Sequence, residues 1–70
     1  MKRPEKLDAA TLRWVAKEMH SRSARLHQTA KRYARQGFLS AAAEQGIRGD
    51  EAGLWAGHFE AQAVEAEGGK

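Results

Sequence analysis

The sequence contains no cysteine and no asparagine, a single proline (Pro4) and a single isoleucine (Ile47). Without cysteine, no disulfide braces the fold and no thiolate acts as nucleophile or metal ligand. Three histidines without cysteine also lack the usual ligand set of a zinc domain. No apolar run approaches the ~18 residues of a membrane span, so no membrane partner is expected. Met1-Lys2-Arg3 begins like the charged segment of a signal peptide, but no apolar stretch follows, so the expected compartment is the cytoplasm. Strand-like alternation, internal repeats and low-complexity linkers are missing too.

Seventy residues allow one small domain over 1–70, and a chain this short buries only about 60% of its unfolded surface. With disulfides and zinc excluded, oligomerisation is the remaining staple. Arginine outnumbers lysine and alanine is abundant, a bias that suits a GC-rich bacterial or phage-like source. The net charge of +3 hides a division: residues 1–36 hold ten Lys or Arg against three acids, and residues 37–70 hold two against six. A basic half followed by an acidic half fits either a polyanion-binding face or self-complementary packing.

The pattern predicts a basic tail over 1–7, with Pro4 keeping residue 3 out of a helix, and then a basic helix over 8–36. Asp8 is its candidate N-cap, with Thr11 as a later start. At about 100° per residue, Leu12, Val15, Ala16, Met19, Leu26, Ala30, Tyr33 and Ala34 form one apolar stripe that also holds Ser23. Leu12, Met19, Leu26 and Tyr33 are seven apart, the spacing of a left-handed helix-packing seam. Lys31, Arg32 and Arg35 suit the negative end of the helix dipole, and Gly37 fits the left-handed position that ends many helices.

Residues 38–67 predict an acidic helical segment with Ser40 as N-cap, followed by a frayed end over 68–70. Gly46 and Gly49 each cost roughly 1 kcal/mol inside a helix, and Asp50 could cap a new one. The expectation is therefore one long helix interrupted near Gly49; a full break there would permit a three-helix core. Ala42, Gly46, Gly49, Gly53 and Gly57 cluster on one side, where a neighbouring backbone can come close. Two apolar faces emerge: Leu39, Ala43, Ile47, Leu54, Ala61 and Val64 on one, and Phe38, Ala41, Ala52, Trp55, Ala56, Phe59 and Ala63 on the other. A helical hairpin covers one of them, so the other predicts a homodimer, drawn as a four-helix bundle with Phe38, Ala52, Trp55, Ala56 and Phe59 at the interface.

No group of residues converges as an enzyme requires, so no catalytic residue, metal or cofactor is expected. His20 and His27 share a side of the first helix with Arg13, Lys17 and Lys31, which disfavours a bound cation; they are expected on the surface. His58 lies near Glu44 and Glu51, a weak metal constellation. The glycines match neither G-x-G-x-x-G nor the phosphate-binding P-loop. Ala42-x-x-x-Gly46-Ile47-Arg48 with Ala52 and Trp55 resembles the centre of helix-turn-helix domains, but Asp50, Glu51 and Glu60 would be repelled by a DNA groove.

The basic surface of the first helix is the more informative feature. Arg13, Lys17, Lys31 and Arg35 form one line, with Arg22, Arg25 and Arg32 further round. Trp14 stands roughly opposite the apolar stripe, either covered by the tail around Pro4 and Leu7 or anchoring a partner. The expectation is an all-α, non-enzymatic regulator, adaptor or inhibitor of a larger macromolecule. It would be of the kind phage and mobile elements use against nucleic-acid-handling complexes, with a protein or nucleoprotein partner on Arg13, Trp14, Lys17, Arg22, Arg25, Lys31, Arg32 and Arg35. Direct nucleic-acid binding by the same face is the alternative.

Overall fold

The computed structural model describes residues 8–68. The tail expected over 1–7, with Pro4 and Leu7, lies outside them, as do residues 69 and 70. The described residues form two α-helices and no strand: α1 spans Ala9–Arg35 and α2 spans Leu39–Ala66. They pack against each other as a helical hairpin.

Helix α1 begins where Asp8, in extended conformation, accepts a 2.8 Å hydrogen bond from the Thr11 backbone N–H. This satisfies one of the donors left unpaired at a helix start. The other end is closed by the 36–38 turn. Gly37 takes φ +86°, the Gly37 N–H donates to the Ala34 carbonyl, and the Phe38 N–H donates to the Tyr33 carbonyl at 2.9 Å. This is a Schellman closure, completed by an edge-on contact between the Tyr33 and Phe38 rings at 6.3 Å. Because three residues join the helices, Phe38 itself occupies the N-cap of α2 and no side chain caps it. Ser40, the expected cap, lies inside the first turn.

The break expected near Gly49 is not there: α2 runs unbroken from Leu39 to Ala66. Asp50 does not cap a new helix but meets His27 of α1, with 3.2 Å between Nε2 and Oδ1. Tertiary packing overrides the poor helix propensity of glycine at this point. Gly49 is buried against α1, and its carbonyl accepts a 2.8 Å hydrogen bond from Ser23 Oγ. The uninterrupted helix also leaves no turn at Gly46-Ile47-Arg48 for a helix-turn-helix.

The core is thin. Leu12 and Ala16 of α1 and Ala52, Ala56 and Ala63 of α2 are its buried apolar members, and among the described residues no large side chain is fully buried. Alanine and glycine on α2 bring the helices close together, and of the large residues of the α1 seam Leu12 alone is buried between them. The bulky members of the α1 seam (Met19, Leu26 and Tyr33) therefore stand beside the contact and are half-buried. The hairpin is a single layer of two helices, whereas domains are ordinarily built from at least two packed layers.

Candidate interaction surfaces

A single layer offers two flat faces and two edges, and the residues sort cleanly among them. Two surface hollows fix which residues share a face. Met19 and Arg22 of α1 meet Arg48, Glu51, Ala52 and Trp55 of α2 on one side. Arg13, Lys17, His20 and Ser21 meet Glu60 on the other.

The first flat face carries large apolar side chains set among the charged Arg22, Arg48 and Glu51. By helical position, Leu26 and Tyr33 lie within roughly 40° of Met19, and Phe59 lies within roughly 40° of Trp55. Trp55 stacks on Phe59 with ring centroids 5.9 Å apart, and His58 meets both rings edge-on at 5.5 Å. Phe38 and Trp55 are exposed, and Phe59 is half-buried. The residues assigned from sequence to a dimer contact thus divide. Phe38, Trp55 and Phe59 are open to a partner, whereas Ala52 and Ala56 are buried inside the hairpin, because the small residues of this face are what lets α2 approach α1.

The opposite flat face is held by polar pairs. The Arg13 guanidinium binds the Glu67 carboxylate, with Nε donating at 3.3 Å, and His20 meets Glu60. Residues 13, 20 and 27 are seven apart and form a row across the hairpin to Glu67, Glu60 and Asp50. Bonding to Arg13 holds the Glu67 carboxyl below its ordinary range. Sequence reasoning placed these histidines on the surface and missed the pairs, because the cross-hairpin register decides which residues meet. The signal lay in the seven-residue spacing of 13, 20 and 27 matched by that of 60 and 67. His58 lies beside Gln62, 3.1 Å away; no cluster of three or more His, Asp or Glu suited to a metal ion stands among the described residues.

The outer edge of α1 is basic. Trp14 is 62% exposed, and Arg25 and Arg32 lie within roughly 20° of it on the helical wheel. Lys17, Lys31 and Arg35 flank this edge on one side and Arg22 on the other, all exposed. Of the eight residues assigned from sequence to a partner contact, Arg13 is engaged with α2. Among the described residues, Lys17, Arg22, Arg25, Lys31, Arg32 and Arg35 make no ion pair within 4.0 Å.

The outer edge of α2 carries the apolar face that the hairpin leaves uncovered. Leu39, Ala43, Ile47, Leu54, Ala61 and Val64 are all exposed. No helix among the described residues is long and apolar enough to cross a membrane. Comparison of the chain with family models, with curated proteins and with solved structures finds no match.

Proposed function

We propose that this chain is a non-enzymatic binding protein that regulates, adapts or inhibits a larger macromolecule by occupying an acidic surface on it. One observation carries the reading: six cations of α1 stay unpaired among the described residues although α2 is acidic, and the exposed Trp14 stands among them. Intramolecular neutralisation would have explained an arginine-rich helix, but among the described residues Arg13 is the one cation of α1 used in that way. An exposed tryptophan beside free arginines is the composition of an interface anchor. Binding of this kind acts by mass action, holding the target in one state or denying it a ligand.

In this reading the working unit is a homodimer. The first flat faces of two hairpins, each with Met19, Leu26, Tyr33, Phe38, Trp55 and Phe59, stack into a four-helix bundle and supply the second layer that one hairpin lacks. Both α1 edges remain open in such a dimer.

The same row of cations also supports direct nucleic-acid binding, because each phosphate neutralised by Lys or Arg releases counterions. A gel shift with duplex and single-stranded DNA at roughly 50 and 200 mM salt separates the two. The protein-partner reading expects no retardation even at the lower salt. A shift that fades with salt and is lost in Arg25→Ala/Arg32→Ala assigns the edge to nucleic acid instead.

A further inference from the structure

The outer edge of α2 has a pattern of its own, independent of the α1 edge. Ala43, Ile47, Asp50, Leu54, Gly57, Ala61 and Val64 follow one another at alternating spacings of four and three, the period of a coiled-coil seam. Ile47, Leu54 and Ala61 are seven apart, and Leu39 extends the row at its start, so it covers about 37 Å of helix. Leu39 is 71%, Ile47 66% and Leu54 77% exposed. Asp50 lies within the row. Glu44, Glu51 and Glu65 follow one flank with His58 between the latter two, and all are exposed; Glu44 pairs with Arg48 at 2.9 Å, which leaves Glu51 and Glu65 as the open carboxylates. Glu60 and Glu67, on the other flank, are engaged with His20 and Arg13.

We infer that this edge is a docking seam for an amphipathic helix with basic flanks, supplied by a second protein. The apolar row gives the knobs and holes, and the acidic flank selects the charge of the incoming helix, as flanking charges do in coiled coils. An antiparallel second copy of α2 would bring this acidic flank against itself, and a parallel one would set Glu65 against Glu60. A second copy of α1 has the right charge on its outer edge, but Trp14 is its one large apolar side chain there, which leaves Ile47 and Leu54 without partners. Gly57, with nothing within 4 Å of an added Cβ, lets an incoming helix come close beside Leu54. The hairpin is then an adaptor, with an acidic surface held on the α1 edge and a basic helix on the α2 edge.

The test uses two labelled synthetic helices with the same leucine seam, one flanked by lysine and the other by glutamate, titrated against the full chain by fluorescence anisotropy. The lysine-flanked helix is expected to bind at least about tenfold more tightly than the glutamate-flanked one, with the difference shrinking as salt rises. Ile47→Asp/Leu54→Asp abolishes binding with helicity intact, because both side chains are exposed. Glu51→Lys/Glu65→Lys keeps the seam and reverses the preference, and it serves as the control if the first variant loses helix. Three results overturn the inference: equal or absent binding of the two helices, binding retained in Ile47→Asp/Leu54→Asp, or a dimer that this variant converts to a monomer. The last would show that a second copy covers the seam.

Discussion

The imidazole of His27 lies across Gly49 so closely that a Cβ at residue 49 would stand 2.9 Å from Nε2. The same ring reaches Asp50, and one turn earlier on α1 Ser23 bonds the Gly49 carbonyl. A Cβ at this position therefore requires the tip of the His27 ring to move, a requirement set by α1. Relieving that requirement should release the helix-propensity gain that alanine normally provides over glycine. In a His27→Ala background, Gly49→Ala is expected to raise unfolding stability by about 1 kcal/mol. In the wild-type background the gain is smaller or absent, since the ring must swing away from Asp50. Denaturant titration of the four proteins measures the coupling; a zero coupling energy contradicts the contact.

Gly46 and Gly57 sit in the same helix with nothing within 4 Å of an added Cβ. Alanine at either position is expected to stabilise the chain by about 1 kcal/mol, measured in the same titrations. A loss at Gly46 would mean that α1 comes nearer there than the structure places it.

The hairpin separates leucines of similar appearance in the sequence. Leu12 is 4% exposed and Leu54 is 77% exposed. Leu12→Ala is expected to cost about 2–4 kcal/mol through the cavity it leaves, and Leu54→Ala less than about 0.5 kcal/mol. Comparable losses at the two positions would place Leu54 in a buried contact.

These contrasts show how far the sequence was legible. Local rules sufficed where the deciding groups are neighbours in the chain, as with Asp8 capping Thr11 and Gly37 closing α1; of the stripe from Leu12 to Tyr33, only Leu12 and Ala16 are buried. The choice of α2 face was not legible, because two apolar faces compete. Hydrophobicity favours leucine, isoleucine and tryptophan, whereas close packing favours the smaller Ala52, Ala56 and Ala63. Gly49 read as a break for the same reason, since its compensation comes from His27 and Ser23, more than twenty residues earlier. At the candidate surface, Trp14 stood out in the sequence as an aromatic off the stripe. The withdrawal of Arg13 toward Glu67 did not, because it depends on the register between the helices.

Two carboxyls tie the ends of the hairpin to pH. Hydrogen bonding from Thr11, side chain and backbone, lowers the Asp8 pKa, and bonding to Arg13 lowers that of Glu67. A folded-state pKa below the unfolded one stabilises the protein above the ordinary carboxyl range and ceases to do so as pH falls through the folded values. The melting temperature is therefore expected to fall between neutral pH and about pH 3. Glu67→Gln flattens part of that dependence. A melting temperature that rises with acidification contradicts the two contacts.

The stacked-layer arrangement makes a direct prediction of mass. Light scattering at micromolar concentration should return twice the 7.7 kDa of one chain. Trp55→Asp/Phe38→Asp, which alters exposed residues on the first flat face, should return a single chain with helicity preserved. A wild-type monomer under these conditions removes the four-helix bundle.

In the proposed function the partner is held on the outer edge of α1. The most direct test is quantitative capture from a lysate of the organism that carries the sequence, comparing the wild-type chain with Trp14→Ala/Arg25→Ala/Arg32→Ala at matched helicity. A discrete partner is expected to be retained by the wild type and reduced at least about tenfold by the triple variant. An identical set of retained partners for the two proteins would contradict this assignment.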